Sequence, residues 1–485
     1  MYFNSMQYAM FLSIVFIIYY ILPQKIKYLW LLGVSYYFYM CWNAKYALLM
    51  LSVTIITWSG AIILDKLSAS NQTRFRKVCL FTVIIINFGL LFYFKYINFA
   101  ITNINRLLHK IGHTEISTLE IILPVGISFF VFQATGYIID VYRNEIYAEK
   151  KFFRYALFIS FFPQLVAGPI ERSKNLLKQL AIPAKLDGEN IRTGLIYILF
   201  GIWQKVFLAD NIARIVNKVY NDYTNFSGIQ IFLATVLFGI EIYCDFGGYT
   251  NIAIGSARLL GVRLMQNFVS PYLAISVSDF WRRWHISLTS WFRDYLYIPL
   301  GGNRKGTIRK YINTLIIFLA SGVWHGAGWS YIIWGTLNGM YIILENIFHK
   351  KKNVTHNAIE KWMMRAGTFL LVDFTWLFFR AGSASSAINM IRHAFAHPGI
   401  RDMLLGNAFS LFESYQAILI TLFGLMLLLV IGIFRENTHQ GIVSLFFAQK
   451  EPLRWMLYLT LTLMIILYGV YGEGYEQTQF IYFQF

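Results

Sequence analysis

Charge is scarce in this sequence. Only 14% of the 485 residues are Asp, Glu, Lys or Arg, where a soluble protein of this length carries about a quarter. Acidic side chains are the scarcest, 24 against 42 Lys and Arg. The three cysteines, Cys41, Cys79 and Cys244, sit in or beside apolar runs and share no metal or redox spacing. That excludes a disulfide scaffold and a thiolate metal site, and the cysteines read as small buried hydrophobes. Low-complexity tracts, internal repeats and separating linkers are also missing, so one membrane domain over residues 1–485 is the expected organisation.

What replaces charge is apolar length. Hydrophobic residues make up 57% of the chain and come in runs, among them 11–22, 78–94, 191–208, 229–244, 311–323, 417–434 and 455–470. A membrane-spanning helix needs ~20 mostly apolar residues, and counting runs with their borders predicts roughly ten to twelve spans by that criterion. The first run has no basic stretch before it and no small-residue cleavage site after it, so it reads as a retained helix. The net charge of +18 is carried by short basic clusters between runs: Lys25 and Lys27; Arg74, Arg76 and Lys77; Lys150, Lys151 and Arg154; Lys350 to Lys352. Cytoplasmic loops facing anionic lipid account for that pattern, and nucleic acid does not. Lys25 and Lys27 follow the first run directly, which places the N-terminus outside. Two crossings near 28–41 and 46–64 then bring the basic loop 66–77 inside.

Two regions interrupt the apolar pattern. Between Leu123-Pro124-Val125-Gly126 and Gln164-Leu165-Val166-Ala167-Gly168-Pro169, proline and glycine should break helices at membrane depth. Such backbone survives only where protein or water covers it, so this segment is expected to line a cavity. Residues 243–304 are the least lipid-like part, with Asp245, Asn251, Arg258, Arg263, Asp279, Arg282, Arg283, His285, Arg293, Asp294 and Arg304. Within them, 276–296 has helical spacing. Phe280, Trp284, Leu288, Trp291 and Tyr295 form an apolar stripe; Ser278, Arg282, His285, Thr289 and Arg293 form a polar one. A helix so divided suits a membrane boundary or a water-filled vestibule.

The string Ser321-Gly322-Val323-Trp324-His325-Gly326-Ala327-Gly328-Trp329 follows in an apolar stretch. A histidine in a membrane segment points to function by default. The glycines let another backbone or a substrate approach closely, and Trp324 and Trp329 supply aromatic walls. Imidazole is the side chain best suited to take a proton from a hydroxyl near neutral pH, and burial would keep it neutral. The alternative is a histidine that bonds across a helix pair, and on these arguments the two readings stand level. His285, on a polar stripe, reads more simply as a solvated or hydrogen-bonding residue. Forty positions separate the two histidines and no Cys or carboxylate cluster accompanies them, so no metal is expected.

These strings resemble the membrane-bound O-acyltransferases, and most nearly the bacterial alginate O-acetylation branch. The resemblance is carried by Leu123 to Phe130, Tyr137-Ile138-Ile139-Asp140-Val141-Tyr142-Arg143, Phe161 to Ile170, Ser278 to Leu288, Tyr297 to Arg304, and Trp324-His325-Gly326. Phe3-Asn4-Ser5 and the closing Phe480 to Phe485 extend it over nearly the whole chain, with residues 119–345 the motif-bearing core and 400–474 the least distinctive. One departure is Asp245-Phe246-Gly247-Gly248-Tyr249-Thr250-Asn251, where members often end the string in Asp, so an acid–base role at Asn251 is in doubt.

The resemblance implies an all-α, polytopic helical bundle in the bacterial inner membrane, with re-entrant or broken helices around a central funnel. His325 would be the catalytic base and His285 would polarise the acyl carbonyl, hold the acceptor or orient the vestibule. No bound cofactor is implied; acetyl-coenzyme A or another acyl thioester would be the donor substrate. The acceptor would be an exopolysaccharide such as alginate, or a periplasmic or extracellular acetyltransferase partner. The alternatives are D-alanyl transfer from a carrier protein to teichoic acid and a conduit for acetyl groups without catalysis of its own. Arg282, Arg283 and Arg293 can meet donor phosphates; an ion pair, such as Arg283 with Asp279 one turn away, is the preferred reading.

Overall fold

In lipid no solvent satisfies backbone N–H and C=O groups, so a chain this apolar must satisfy them along its own helices. The computed structural model describes residues 1–70, 72–166, 168–348, 357–412, 414–471 and 481, and among them every regular element is helical. The basic cluster at 350–352, Ala167, and the closing string apart from Ile481 lie outside the described residues. Five described helices are long and apolar enough to cross a bilayer: Ala44–Ala69, Thr73–Lys95, Gly188–Asn221, Gly228–Leu259 and Tyr415–Thr438. Other apolar runs fall on shorter helices such as Met6–Ile21 and Ile127–Tyr142. Burial sorts the five. Only 17% of the apolar window of Tyr415–Thr438 and 22% of that of Thr73–Lys95 are buried, so these face lipid; the figures for Gly188–Asn221 and Gly228–Leu259 are 72% and 67%, so these are interior.

The chain divides into two compact units, the first comprising residues 1–195 and 253–265. Here the Pro/Gly region is covered by protein. Gly126 takes a left-handed conformation (φ 76°) immediately before helix Ile127–Tyr142, and a Cβ on it would lie 2.9 Å from the Leu165 carbonyl oxygen. The two motif segments therefore touch backbone to backbone, which only glycine permits. Gln133 donates to the Phe158 carbonyl at 2.7 Å and pairs with the Gln164 amide, and Ser173 donates to Asp140 at 2.7 Å. Of the cysteines in this unit, Cys79 is half-buried but Cys41 is exposed, at the end of helix Lys27–Met40 rather than within it.

The second unit comprises residues 196–252 and 266–485. The continuous helix expected over 276–296 is not one helix. Val277–Arg283 ends at an extended Trp284, His285 is left-handed (φ 44°, ψ 51°), Ile286–Phe292 starts afresh, and Arg293–Tyr297 is π-helical. Periodicity reports spacing along the chain and is blind to one residue that reverses its backbone twist. Further on, helices Thr307–His325 and Trp329–Phe348 form a hairpin closed by their glycines. A Cβ on Gly322 would strike the Tyr331 carbonyl, one on Gly335 the Phe318 carbonyl, and one on Gly326 the Tyr331 ring. Of the two occupants considered for this space, it is taken by backbone and by Tyr331.

A buried ion cluster sits in the same unit. Lys205 lies on a π-helical turn, Trp203–Ala209, and its Nζ is 2.8 Å from Asp210 and 2.6 Å from Asp245, all three side chains nearly inaccessible. The wide turn also leaves the Val206 carbonyl to accept from Val470 at 3.0 Å. Asp245 further accepts the N–H of Ile481 at 2.9 Å.

Two measurements of thermal stability in detergent test these packings. Gly335→Val should lower the melting point, by overpacking worth about 1–3 kcal/mol, whereas Gly367→Val, with nothing within 4 Å of its Cβ, should be far milder. Lys205→Met should cost about 3–5 kcal/mol by stranding two buried carboxylates, and adding Asp210→Asn with Asp245→Asn should restore much of it. A Lys205→Met protein as stable as the parent would show that the cluster contributes nothing.

Candidate active site

His325 is the last residue of helix Thr307–His325 and is 4% exposed. Its ring is enclosed edge-on by Trp324, Trp334 and Phe379, at centroid distances of 4.9, 5.0 and 5.3 Å. Each wall comes from a different part of the unit: Trp324 from the same helix, Trp334 from Trp329–Phe348, and Phe379 from Ala358–Arg380. Trp329, expected as a wall, is 50% exposed and Trp334 takes that place. One turn and a half separates them on the helix, so the aromatic content was legible and its direction was not.

His285 departs further from expectation. It is 1% exposed, not solvated, and its ring lies 6.4 Å from that of His325, 5.8 Å from Trp324 and 4.8 Å from Phe246. The left-handed residue turns it off the polar stripe. The stripe's other members, Ser278, Arg282, Thr289 and Arg293, line a cleft of about 480 Å³ with Trp281, Ile286, Tyr297 and Phe318. Outside the five spanning helices, burial pushes the His285 imidazole down to about 3, so it is neutral around physiological pH.

The walls are themselves held. Trp281 donates to Asn338 at 3.2 Å, and the Asn338 amide donates to the Trp334 carbonyl at 2.9 Å and to Thr375 at 3.1 Å. Trp334 stacks on Trp376 at 5.8 Å and 26°. Trp281 thus touches both the arginine-lined cleft and, through Trp334 at 5.6 Å, the histidine enclosure.

Of the three arginines, Arg283 is committed elsewhere: it pairs with Asp279 at 2.9 Å and Glu436 at 3.6 Å, and Glu436 also holds Arg365 at 2.9 Å. Arg282 and Arg293 remain at the cleft, with Arg293 also 2.9 Å from Asp294. Asn251 donates to Gln204 at 2.6 Å, a hydrogen-bonding rather than acid–base arrangement. Sequence reasoning missed Lys205 as a partner of Asp245. The signal was available: a lysine inside the apolar run 191–208 demands a buried counter-charge. Among the described residues no group of His, Cys, Asp and Glu is arranged to hold a metal.

Comparison with known proteins gives the same picture from another direction. The family model described as MBOAT, membrane-bound O-acyltransferase family, matches residues 37–379, a span that contains both histidines. The probable alginate O-acetylase of Pseudomonas putida is 37% identical over 382 residues, covering 79% of this chain and 77% of that protein. The peptidoglycan O-acetyltransferase of Helicobacter pylori is 35% identical over 413 residues, with 79% and 77% covered. The teichoic acid D-alanyltransferase of Bacillus subtilis is 28% identical over 267 residues, with 52% and 66% covered. All-helical, rich in apolar helices and matched over more than half its length, the chain belongs to the membrane-bound O-acyltransferase family and is a multi-spanning membrane O-acyltransferase.

Proposed function

We propose that this O-acyltransferase moves an acetyl group from a cytoplasmic acyl thioester to a hydroxyl of an extracytoplasmic polysaccharide, or to a partner acetyltransferase outside the membrane, with His325 as general base. The observation that carries the reading is the meeting of His285 and His325, forty positions apart in sequence, within one buried aromatic enclosure with 6.4 Å between ring centroids. A single reacting group can bridge that gap through hydrogen bonds of about 2.6–3.2 Å on each side. His325 takes the proton of the acceptor hydroxyl as its oxygen attacks the thioester carbonyl. The C–O bond forms, the C–S bond breaks, and the proton passes to the departing thiolate. His285, neutral at working pH, donates to the carbonyl oxygen as charge develops there. Water-poor aromatic walls strengthen both contacts and limit hydrolysis of the donor.

Arg282 and Arg293 support a donor that carries phosphates, as coenzyme A and phosphopantetheine do, because the cleft they line shares Trp281 with the layer beneath the histidines. Acetyl is favoured over D-alanyl because the O-acetylating relatives match more of the chain at higher identity than the D-alanyl-transferring ones.

Two experiments follow. In cells lacking the native gene, His325→Ala that inserts normally should leave about 10²–10⁴-fold fewer newly formed alkali-labile acetyl esters on envelope and secreted polymers; an undiminished ester content would sink the assignment. In membrane vesicles supplied with labelled acetyl-coenzyme A, Arg282→Ala with Arg293→Ala should raise the donor KM and leave kcat nearly unchanged. An unaltered KM would detach the cleft from the donor.

A further inference from the structure

His285 reaches His325 only because the backbone is left-handed at that one residue (φ 44°). L side chains adopt this conformation reluctantly, and it persists where the surroundings over-determine it. The surroundings here converge on one residue, through its backbone and its side chain. Helix Ile286–Phe292 begins with N–H groups that have no partner of their own, and the side chain of His285, at its N-cap, does not cap them. Asn267, fully buried, supplies both acceptors instead. Its carbonyl accepts the Ile286 N–H at 3.0 Å and its Oδ1 accepts the Ser287 N–H at 3.4 Å. On the other side of the turn, Val269 donates to the Arg283 carbonyl at 3.0 Å. Residues 267 and 269 therefore brace the chain on both sides of Trp284 and His285.

The brace is tethered in turn. The Asn267 amide donates to Thr250 Oγ1 at 3.4 Å, and Thr250 stands one turn beyond Phe246, whose ring lies 4.8 Å from that of His285. One helix, Gly228–Leu259, thus fixes the imidazole directly through Phe246 and its backbone through Thr250 and Asn267.

We propose that Asn267 is the positioning residue for His285: it caps the second short helix from outside, holds the left-handed turn, and so keeps the imidazole facing His325 instead of the arginine-lined cleft. An asparagine is required because the side chain accepts from Ser287 and donates to Thr250 at once. The proposal rests on the role given to His285 above.

The test uses full-length protein in membrane vesicles with labelled acetyl-coenzyme A as donor, reading ester formation against donor concentration. Asn267→Ala should lower kcat at least ~10-fold while the donor KM stays within about twofold, the split expected when transition-state contacts alone are lost. Introduced into His285→Ala, the same change should cost less than about twofold more, because the two residues act as one unit. Asn267→Asp, which keeps the acceptor for Ser287 but not the donor to Thr250 and buries a carboxyl, should recover no more than part of the loss. Wild-type kcat in Asn267→Ala beside an impaired His285→Ala overturns the proposal, as does a full further loss in the double variant. Should Asn267→Ala fail to reach the membrane, Thr250→Ala removes the tether and leaves Asn267 in place, and should show the same split at smaller size; wild-type kcat there overturns the proposal equally. A fully active His285→Ala removes the histidine reading itself and this inference with it.

Discussion

Lipid offers polar groups no hydrogen-bond partner, and most of this molecule follows from that constraint. It makes the chain helical. It also dictates how each departure from a helix is covered: Gly126 lies against the Leu165 carbonyl, and the break at His285 is braced by Asn267 and Val269. The same constraint gives Lys205 two carboxylates, since a lone ammonium inside would be lost to desolvation. At Lys205 charge is admitted to the interior with counter-charge beside it, whereas the candidate His285 is neutral.

Separation of charge from chemistry is the second theme. Arg282 and Arg293 stay in the cleft, Arg283 is neutralised by Asp279 and Glu436, and the histidines sit behind tryptophan. A phosphate needs cations and tolerates water, whereas a neutral imidazole acting as a base needs low polarity and a fixed orientation. One residue divides the two environments. With His285 in an ordinary helical conformation it would join Arg282 and Thr289 on the cleft side; left-handed, it joins His325.

How much of this was legible in the sequence differs by residue. The membrane setting and the prominence of His325 rest on composition and on a polar residue out of place, which are local signals, whereas the all-helical bundle was implied by the family resemblance. The Arg283–Asp279 pair was legible because helix geometry fixes which neighbours meet four residues apart. The break at His285 was not, because the apolar and polar repeats continue through it undisturbed and the bonds that hold it come from Asn267, eighteen positions earlier. The glycines around His325 announced a close approach but not by what; Tyr331 and Phe318, the partners, carry no mark of it. Long-range partners are settled by packing, and packing leaves little trace in one sequence.

Asn251 shows how far a departure from a family pattern can be followed. Where the string it resembles ends in Asp, this chain has an amide that donates a hydrogen to Gln204 at 2.6 Å, something a carboxylate cannot do. Gln204 precedes Lys205 on the π-helical turn, and Lys205 already serves Asp210 and Asp245. Another carboxylate facing that turn would have no further lysine to neutralise it there, whereas a neutral amide completes the contact at no electrostatic cost. The substitution therefore tunes the charge balance of the turn and leaves the histidine enclosure, walled by Trp324, Trp334 and Phe379, as it is. Residue 251 belongs with the ion cluster around Lys205, and the acid–base chemistry proposed above rests on the two buried imidazoles alone.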